Sequence, residues 1–360
     1  MDENVGAAKK NQKLKKIVKI VAASLVGVSI VNITAAIVAY NSIFPRYERP
    51  DYRITPGLYT FERLGGSISR ERMYFYSGDN RLAGYYYPSE DPRGLVVLAH
   101  GIRSGSDDYL ALTEAMCLGG YSVFTYDLTG TYDSEGDSTV GMCQSLIDLD
   151  RALNFIGSCE RFSGMPIYLV GHSWGGYAVT SVLALHPEVR ACVGIAPMND
   201  GTEIMVQKGE EYVGKLAYVG KPVFDVYQRI LFDDYVEYNG VRGINSTDIP
   251  ILIAQGVDDT VITPDGQSVT ALRDKITNPN VEYYFTDGKQ GSHMGILYSA
   301  AALEYQEKVA SELSTLIVMK GRKLSGEELA AFYRSVDHRK YTEVNPELLA
   351  KIFETFGKSR

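Results

Sequence analysis

Cysteine is scarce in this chain, and so is histidine. The four cysteines among 360 residues are Cys117, Cys143, Cys159 and Cys192. They show neither a C-x-x-C spacing nor a metal-ligand pattern, so no zinc site and no redox pair is expected. Cys143 and Cys159 fall at opposite ends of one predicted helix, about 24 Å apart at 1.5 Å per residue, too far for a disulfide. All four are read as buried or half-buried thiols outside the chemistry, and neither metal nor cofactor is expected. Positive charge is also scarce beyond the N-terminus. Residues 1–50 hold eight Lys/Arg against three Asp/Glu, a net of +5, while the remainder carries −13 of the total −8. An acidic body argues against nucleic acid as the main partner.

The N-terminal 50 residues read differently. Lys9, Lys10, Lys13, Lys15 and Lys16 precede an uncharged stretch, Ile20 to Tyr40, of 21 residues. As a helix it would span about 32 Å, enough for a hydrocarbon core. Its basic flank places the N-terminus in the cytoplasm. The expectation is a single-pass membrane protein, with the membrane as partner through this helix and the rest of the chain on the outer face; a cleaved signal peptide and a buried core helix are the alternatives, disfavoured by the length of the run and by its basic flank. Residues 1–44 then form a basic tail and anchor, and 45–69, with Pro45, Pro50 and Pro56, a linker.

From Glu71 onward, apolar runs alternate with helical patterns. Glu71–Tyr76 and Arg81–Tyr87 read as a hairpin around residues 77–80. Short apolar strands are expected at Gly94–Ala99, Tyr121–Tyr126, Pro166–Val170, Arg190–Ile195, Pro250–Ala254 and Val281–Phe285. Helices are expected at Tyr109–Leu118, Met142–Ile156, Tyr177–Leu185, Thr263–Ile276 and about Leu297–Lys320. Such alternation means an α/β fold: a parallel sheet with helices on both faces. Residues 199–248 break it. Their aromatics (Tyr212, Tyr218, Phe224, Tyr227, Phe232, Tyr235, Tyr238) suggest a cap over a pocket, or aromatics packed on one another. Residues 321–360 read as a helical extension, with a capping box at Ser325-x-x-Glu328 and a helix from Asn345-Pro346 to Gly357.

The chemistry centres on Gly171-His172-Ser173-Trp174-Gly175, between a buried strand and a helix. That context holds a serine on a strained turn with its hydroxyl clear of the sheet edge. A serine hydroxyl needs a base and a third group to orient that base. Among the five histidines, His293 follows the last strand and is the candidate base. His172 lies within the turn, His186 at a helix end, His338 in the extension, and His100 in a loop it is expected to support. Asp258 and Asp259 both follow a strand on the same edge; the spacing favours Asp259 as the orienting acid, with Asp258 a turn residue and Asp200 a weaker alternative. The oxyanion donors are expected to be the N–H groups of Trp174 and, after His100-Gly101, of Ile102.

Five motifs in order carry a resemblance: Leu98-Ala99-His100-Gly101, Asp127-Leu128-Thr129-Gly130 with Ser134-Glu135-Gly136, Gly171-His172-Ser173-Trp174-Gly175-Gly176, Gly256-x-x-Asp259 and Gly291-x-His293. Residues 70–320 resemble the α/β-hydrolase family, in its serine aminopeptidase (S33) and monoacylglycerol-lipase-like branch. The resemblance implies an eight-stranded, mostly parallel sheet, no metal, and hydrolysis through an acyl-enzyme. Thr131 and Tyr132 stand where this branch commonly has His and Gly, on a loop expected to rim the site.

The expected function is a serine hydrolase acting on carboxylic esters, acyl or lipid-derived and lysophospholipase-like, with Ser173, His293 and Asp259 as triad. A serine peptidase or amidase is the first rival. It would need acids for a substrate amine, for which the cap offers Glu210, Glu211, Asp233 and Asp234. A non-catalytic binding protein on the same fold is the second, and the full Ser/Asp/His set argues against it.

Overall fold

The computed structural model describes residues 2–57 and 60–359, apart from the side chains of 2–14, 22, 25, 26, 28, 29, 212, 213 and 216. Lys9, Lys10, Lys13 and Tyr212 therefore lie outside the described side chains. Helix α1 (Asp2–Ile43) opens the chain. The hairpin β1 (Glu71–Ser77) and β2 (Asn80–Tyr87) follows, turning at Gly78, whose φ of 58° costs glycine nothing. Then come β3 (Leu95–Ala99), α2 (Leu110–Leu118), β4 (Ser122–Tyr126), α3 (Gln144–Ser158), β5 (Ile167–His172), α4 (Trp174–Ser181) and β6 (Val189–Ile195). The section between β6 and β7 folds as α5 (Gly201–Val213), α6 (Ala217–Phe232) and α7 (Gly240–Ile244). After β7 (Ile251–Gly256) and β8 (Val281–Thr286) come α8 (Ala300–Lys320), α9 (Gly326–Tyr333), α10 (His338–Tyr341) and α11 (Pro346–Gly357).

Among the described residues the strands form an eight-stranded sheet in the order β1-β2-β4-β3-β5-β6-β7-β8. β2 runs antiparallel to both β1 and β4, and the strands from β3 to β8 are mutually parallel. Side chains alternate between the two faces. Val97, Leu169 and Ile253 meet α3 and α4 on one face, through Leu149 and Val179. Val96, Val170 and Val193 meet Leu112 of α2 and Leu348, Ile352 and Phe356 of α11 on the other. Each such side chain, fully buried, contributes about 1.5–3 kcal/mol.

The C-terminal segment is built into the body. Asn345 caps α11 by accepting from the N–H groups of Glu347 and Leu348, and its amide donates to the Ile296 carbonyl at 3.1 Å. Phe356 stacks on Tyr168 with ring centroids 4.6 Å apart. The expected helix over 263–276 is mostly absent. Pro264 and Gly266 interrupt it, leaving only a tight turn at Val269–Lys275.

The N-terminal reading needs correction. Among the described residues, no helix is long and apolar enough to cross a membrane. That overturns the single-pass anchor, the outer-face placement and the membrane as partner. The stretch is diluted by Gly27, Asn32 and Thr34, and its last turn is taken up by the protein body. Tyr40 and Phe44 are fully buried. Tyr40 accepts from the Met142 N–H at 3.2 Å and packs edge-on against Tyr227 of α6, and Tyr227 donates to Asn41. Beyond α1, the Arg46 guanidinium donates to the carbonyls of Tyr132, Ser134 and Gly136, which ties the chain after the helix to the loop after β4.

Candidate active site

The register places the C-terminal ends of β3, β5, β6 and β7 along one edge: Ala99 pairs with Gly171, Gly171 with Gly194, and Ile195 with Ala254. Ser173 stands there at φ 57° and ψ −115°, a conformation a non-glycine residue holds only under strain. Its neighbours make the turn possible. A Cβ on Gly175 would lie 2.1 Å from the Ala99 carbonyl oxygen, and one on Gly171 would lie 2.2 Å from the Gly175 oxygen. Only bare backbone lets strand and helix approach so closely.

His293 reaches Ser173 from the loop after β8. Its Nε2 lies 2.9 Å from Ser173 Oγ, and its Nδ1 lies 2.7 Å from Asp259 Oδ2. With the proton on Nδ1, the imidazole donates to the carboxylate and accepts from the serine. Asp259 is buried, and its other oxygen accepts from the N–H groups of Val261 and Ile262 at 2.8 and 2.9 Å. Burial alone would raise its carboxyl, but the hydrogen bond and charge of His293, with these N–H groups, hold it below the ordinary carboxylate value. Asp258 points to solvent, and Asp200 caps α5 by accepting from the N–H groups of Thr202 and Glu203. Neither touches His293 among the described contacts.

The loop after β3 faces Ser173 from the other side. His100 is fully buried and neutral: burial pushes it down to about 4. It donates from Nδ1 to the Gly101 carbonyl and accepts the Leu128 N–H at Nε2, bracing this loop against the one after β4. The Gly101 N–H donates to the Tyr109 hydroxyl at 3.1 Å. The N–H groups of Ile102 and Trp174 donate to no protein acceptor among the described residues, as required of groups that receive an oxyanion. Asp127 accepts from both the N–H and the hydroxyl of Ser106, tying down the same loop. Tyr132 packs over Gly105 and donates to Asp108, so this departure from the family pattern props the loop from behind and does not line the pocket.

Ser173 opens into a cavity of about 560 Å³. Tyr40 and Ile43 of α1, Met142, Met198, and Ile204 and Phe224 of the cap line it. That volume and apolar lining suit a small-molecule site. Of the cap aromatics, Phe224 lines the cavity. Tyr227, Tyr235 and Tyr238 are structural: Tyr235 donates to Asp150, and Tyr238 offers its carbonyl to Tyr177. Tyr40 and Met142 were missed by sequence reasoning. The last turn of an apolar stretch gives no sign that it ends in a pocket wall.

Residues 90–242 match the family model described as serine aminopeptidase, S33. The fold agrees with solved structures: the Pyrococcus furiosus esterase Pf2001 superposes with a TM-score of 0.52 at 20% identity, over 76% of this chain and 98% of that one. The chain has the α/β-hydrolase fold. Among curated proteins, the chain is 25% identical to human monoglyceride lipase over 141 residues, which are 39% of this chain and 44% of that protein. It is 27% identical to the lysophosphatidylserine lipase ABHD12 of Danio rerio over 183 residues, 49% of this chain and 45% of that one. The matched part spans under half the length of these curated relatives.

Proposed function

We propose that this α/β-hydrolase cleaves carboxylic esters, acyl or lipid-derived, through an acyl-enzyme on Ser173. Ser173 Oγ attacks the ester carbonyl while His293 Nε2 takes its proton. Asp259 holds the imidazole in the tautomer that permits this and stabilises the imidazolium. The N–H groups of Ile102 and Trp174 receive the oxyanion; losing one such donor costs about 3 kcal/mol of barrier. His293 then protonates the departing alcohol. Water, activated by the same histidine, releases the acid and restores the serine.

The observation that carries this reading is the unbroken chain Asp259–His293–Ser173 opening on an apolar cavity. The lipase and esterase names of the similar proteins agree with it. The peptidase reading draws on the S33 likeness, but the cavity lining includes no carboxylate among the described residues. Three of the four acids weighed for a substrate amine are engaged elsewhere: Glu211 holds Lys208, Glu210 accepts from Tyr218, and Asp234 pairs with Arg229.

The test is hydrolysis of p-nitrophenyl esters from acetate to palmitate, beside an aminoacyl anilide, with the full chain and with Ser173→Ala. Ester turnover lost in the variant supports the reading. Anilide turnover without ester turnover replaces it with the peptidase, and silence of the folded wild type on every substrate favours a binding protein.

A further inference from the structure

The cavity that receives an acyl chain also holds an unmatched charge. Arg103 directly follows Ile102, the proposed oxyanion donor, and lines the same cavity as Ser173. Its backbone sits in the left-handed region at φ 61°, a cost that bulky residues seldom bear without a local reason. The side chain is exposed, and its Nε donates to the Tyr47 hydroxyl at 3.3 Å. Among the described residues no carboxylate lies within ion-pair distance of it, although residues 51–360 carry a net charge of −13. Nearby arginines are all matched: Arg46 to Glu48, and Arg49 and Arg70 to Asp107. Lys208, on the cap side of the same wall, is held by Glu211 and by the Thr260 carbonyl. Two cations and no carboxylate thus line the described wall of a pocket within an acidic body.

We propose that the preferred substrates are single-chain acyl esters whose leaving alcohol carries an anionic group, a phosphate or a carboxylate, received by the Arg103 guanidinium. The proposal rests on the ester reading above and adds the chemistry of the polar end. The apolar lining takes the acyl chain. The residue after the oxyanion donor lies close to the cleaved bond, which places the anion a few bonds beyond it. The fixed fork of a guanidinium suits both oxyanions. The bond broken is that between the acyl carbon and the alcohol oxygen. Ser173 Oγ bonds to the acyl carbon, the alcohol leaves with the proton from His293, and its phosphate or carboxylate departs intact. Water then supplies the hydroxyl of the released acid.

The experiment compares kcat/KM of the full chain on three decanoyl esters: 1-decanoylglycerol, 1-decanoylglycerol 3-phosphate and 3-decanoyloxybutyrate. Each is measured for wild type, Arg103→Gln and Arg103→Lys, at 0.05 and 0.5 M salt. The expected result is an anionic-to-neutral ratio of about fivefold or more in wild type, the scale of one exposed ion pair. That ratio falls towards one in Arg103→Gln, is largely kept in Arg103→Lys, and shrinks with salt only where the cation is present. The phosphate and carboxylate arms tell which anion is favoured. A wild-type ratio at or below one overturns the proposal and leaves the ester reading standing, as does an unchanged ratio in folded Arg103→Gln. If Arg103→Gln does not fold, a salt-insensitive wild-type ratio overturns it instead. Loss of turnover on all three esters overturns the ester reading, and this proposal with it.

Discussion

His172 Nε2 lies 3.1 Å from the main-chain carbonyl of His293, donating to the residue whose side chain meets Ser173. Burial, then the neighbouring His293, push His172 down to about 3, so it is neutral and its tautomer is fixed. Nδ1 accepts from the Tyr109 hydroxyl at 2.7 Å, and that hydroxyl accepts from the Gly101 N–H. The turn at Ser173, the loop that carries His293 and the loop after β3 are thereby joined through two side chains. His172→Gln and Tyr109→Phe are each expected to lower kcat about tenfold with little change in KM, since small displacements of positioned groups cost rate more than binding. Steady-state kinetics on a p-nitrophenyl ester check this. A change in KM alone would place His172 in substrate binding instead.

The last turn of α1 should govern both stability and chain-length preference. Tyr40 is fully buried, accepts from the Met142 N–H and lines the cavity. Tyr40→Ala is expected to cost about 3 kcal/mol and to shift the preferred acyl length upward. Tyr40→Phe, which removes only the hydroxyl, should cost about 1 kcal/mol. A chain beginning at residue 45 should melt lower than the full chain. Urea titration and the p-nitrophenyl series read both effects.

Acid should act through His100. Its folded value near 4 lies below the ordinary 6.5, so the unfolded chain binds its proton first as pH falls. Wild type therefore loses stability through this group from pH 6.5 downward to about 4. His100→Asn cannot titrate. At pH 7 it should be less stable by roughly 2 kcal/mol, having lost two buried hydrogen bonds. At pH 4.5 that gap should narrow by roughly 2 kcal/mol. A gap constant with pH would mean that His100 binds its proton alike in the folded and the unfolded chain.

Gly175→Ala isolates the close approach at the turn. The new methyl would meet the Ala99 carbonyl oxygen at 2.1 Å and the His100 carbonyl oxygen at 2.8 Å, both rigid backbone. Destabilisation of about 3 kcal/mol or more is expected, whereas Ala for Gly at an open helix position stabilises by about 0.5–1 kcal/mol. Thermal melts of Gly175→Ala and Gly157→Ala, whose Cβ would meet nothing within 4 Å, make the comparison.

The sheet was legible because its strands are short apolar runs closed by glycine or polar residues, and buried parallel strands cannot be otherwise. Ser173 directly follows β5, Asp259 lies three residues beyond β7 and His293 seven beyond β8, so their order along the sheet edge was legible. The pocket was not. Its walls come from α1, the cap and the loop before α3, brought together by long-range packing that leaves no period in the sequence. Tyr40 read as part of an apolar span because hydropathy registers only that a residue avoids water, and a protein core satisfies that as well as lipid does. The helix expected at 263–276 failed where Pro264 and Gly266 outweighed an amphipathic pattern. His172 gave no sign of its part, since its partners, Tyr109 and the His293 carbonyl, are distant in sequence.

The central claim is that Ser173 is an activated nucleophile. Its most direct test is to treat the folded full chain with a fluorophosphonate, measure the intact mass and locate the adduct by peptide mapping. The account predicts one adduct per chain, on Ser173. Labelling should be abolished in Ser173→Ala and slowed at least about a hundredfold in His293→Ala, the lower end of what a positioned general base contributes. An unlabelled wild type, or an adduct on another residue, would contradict it.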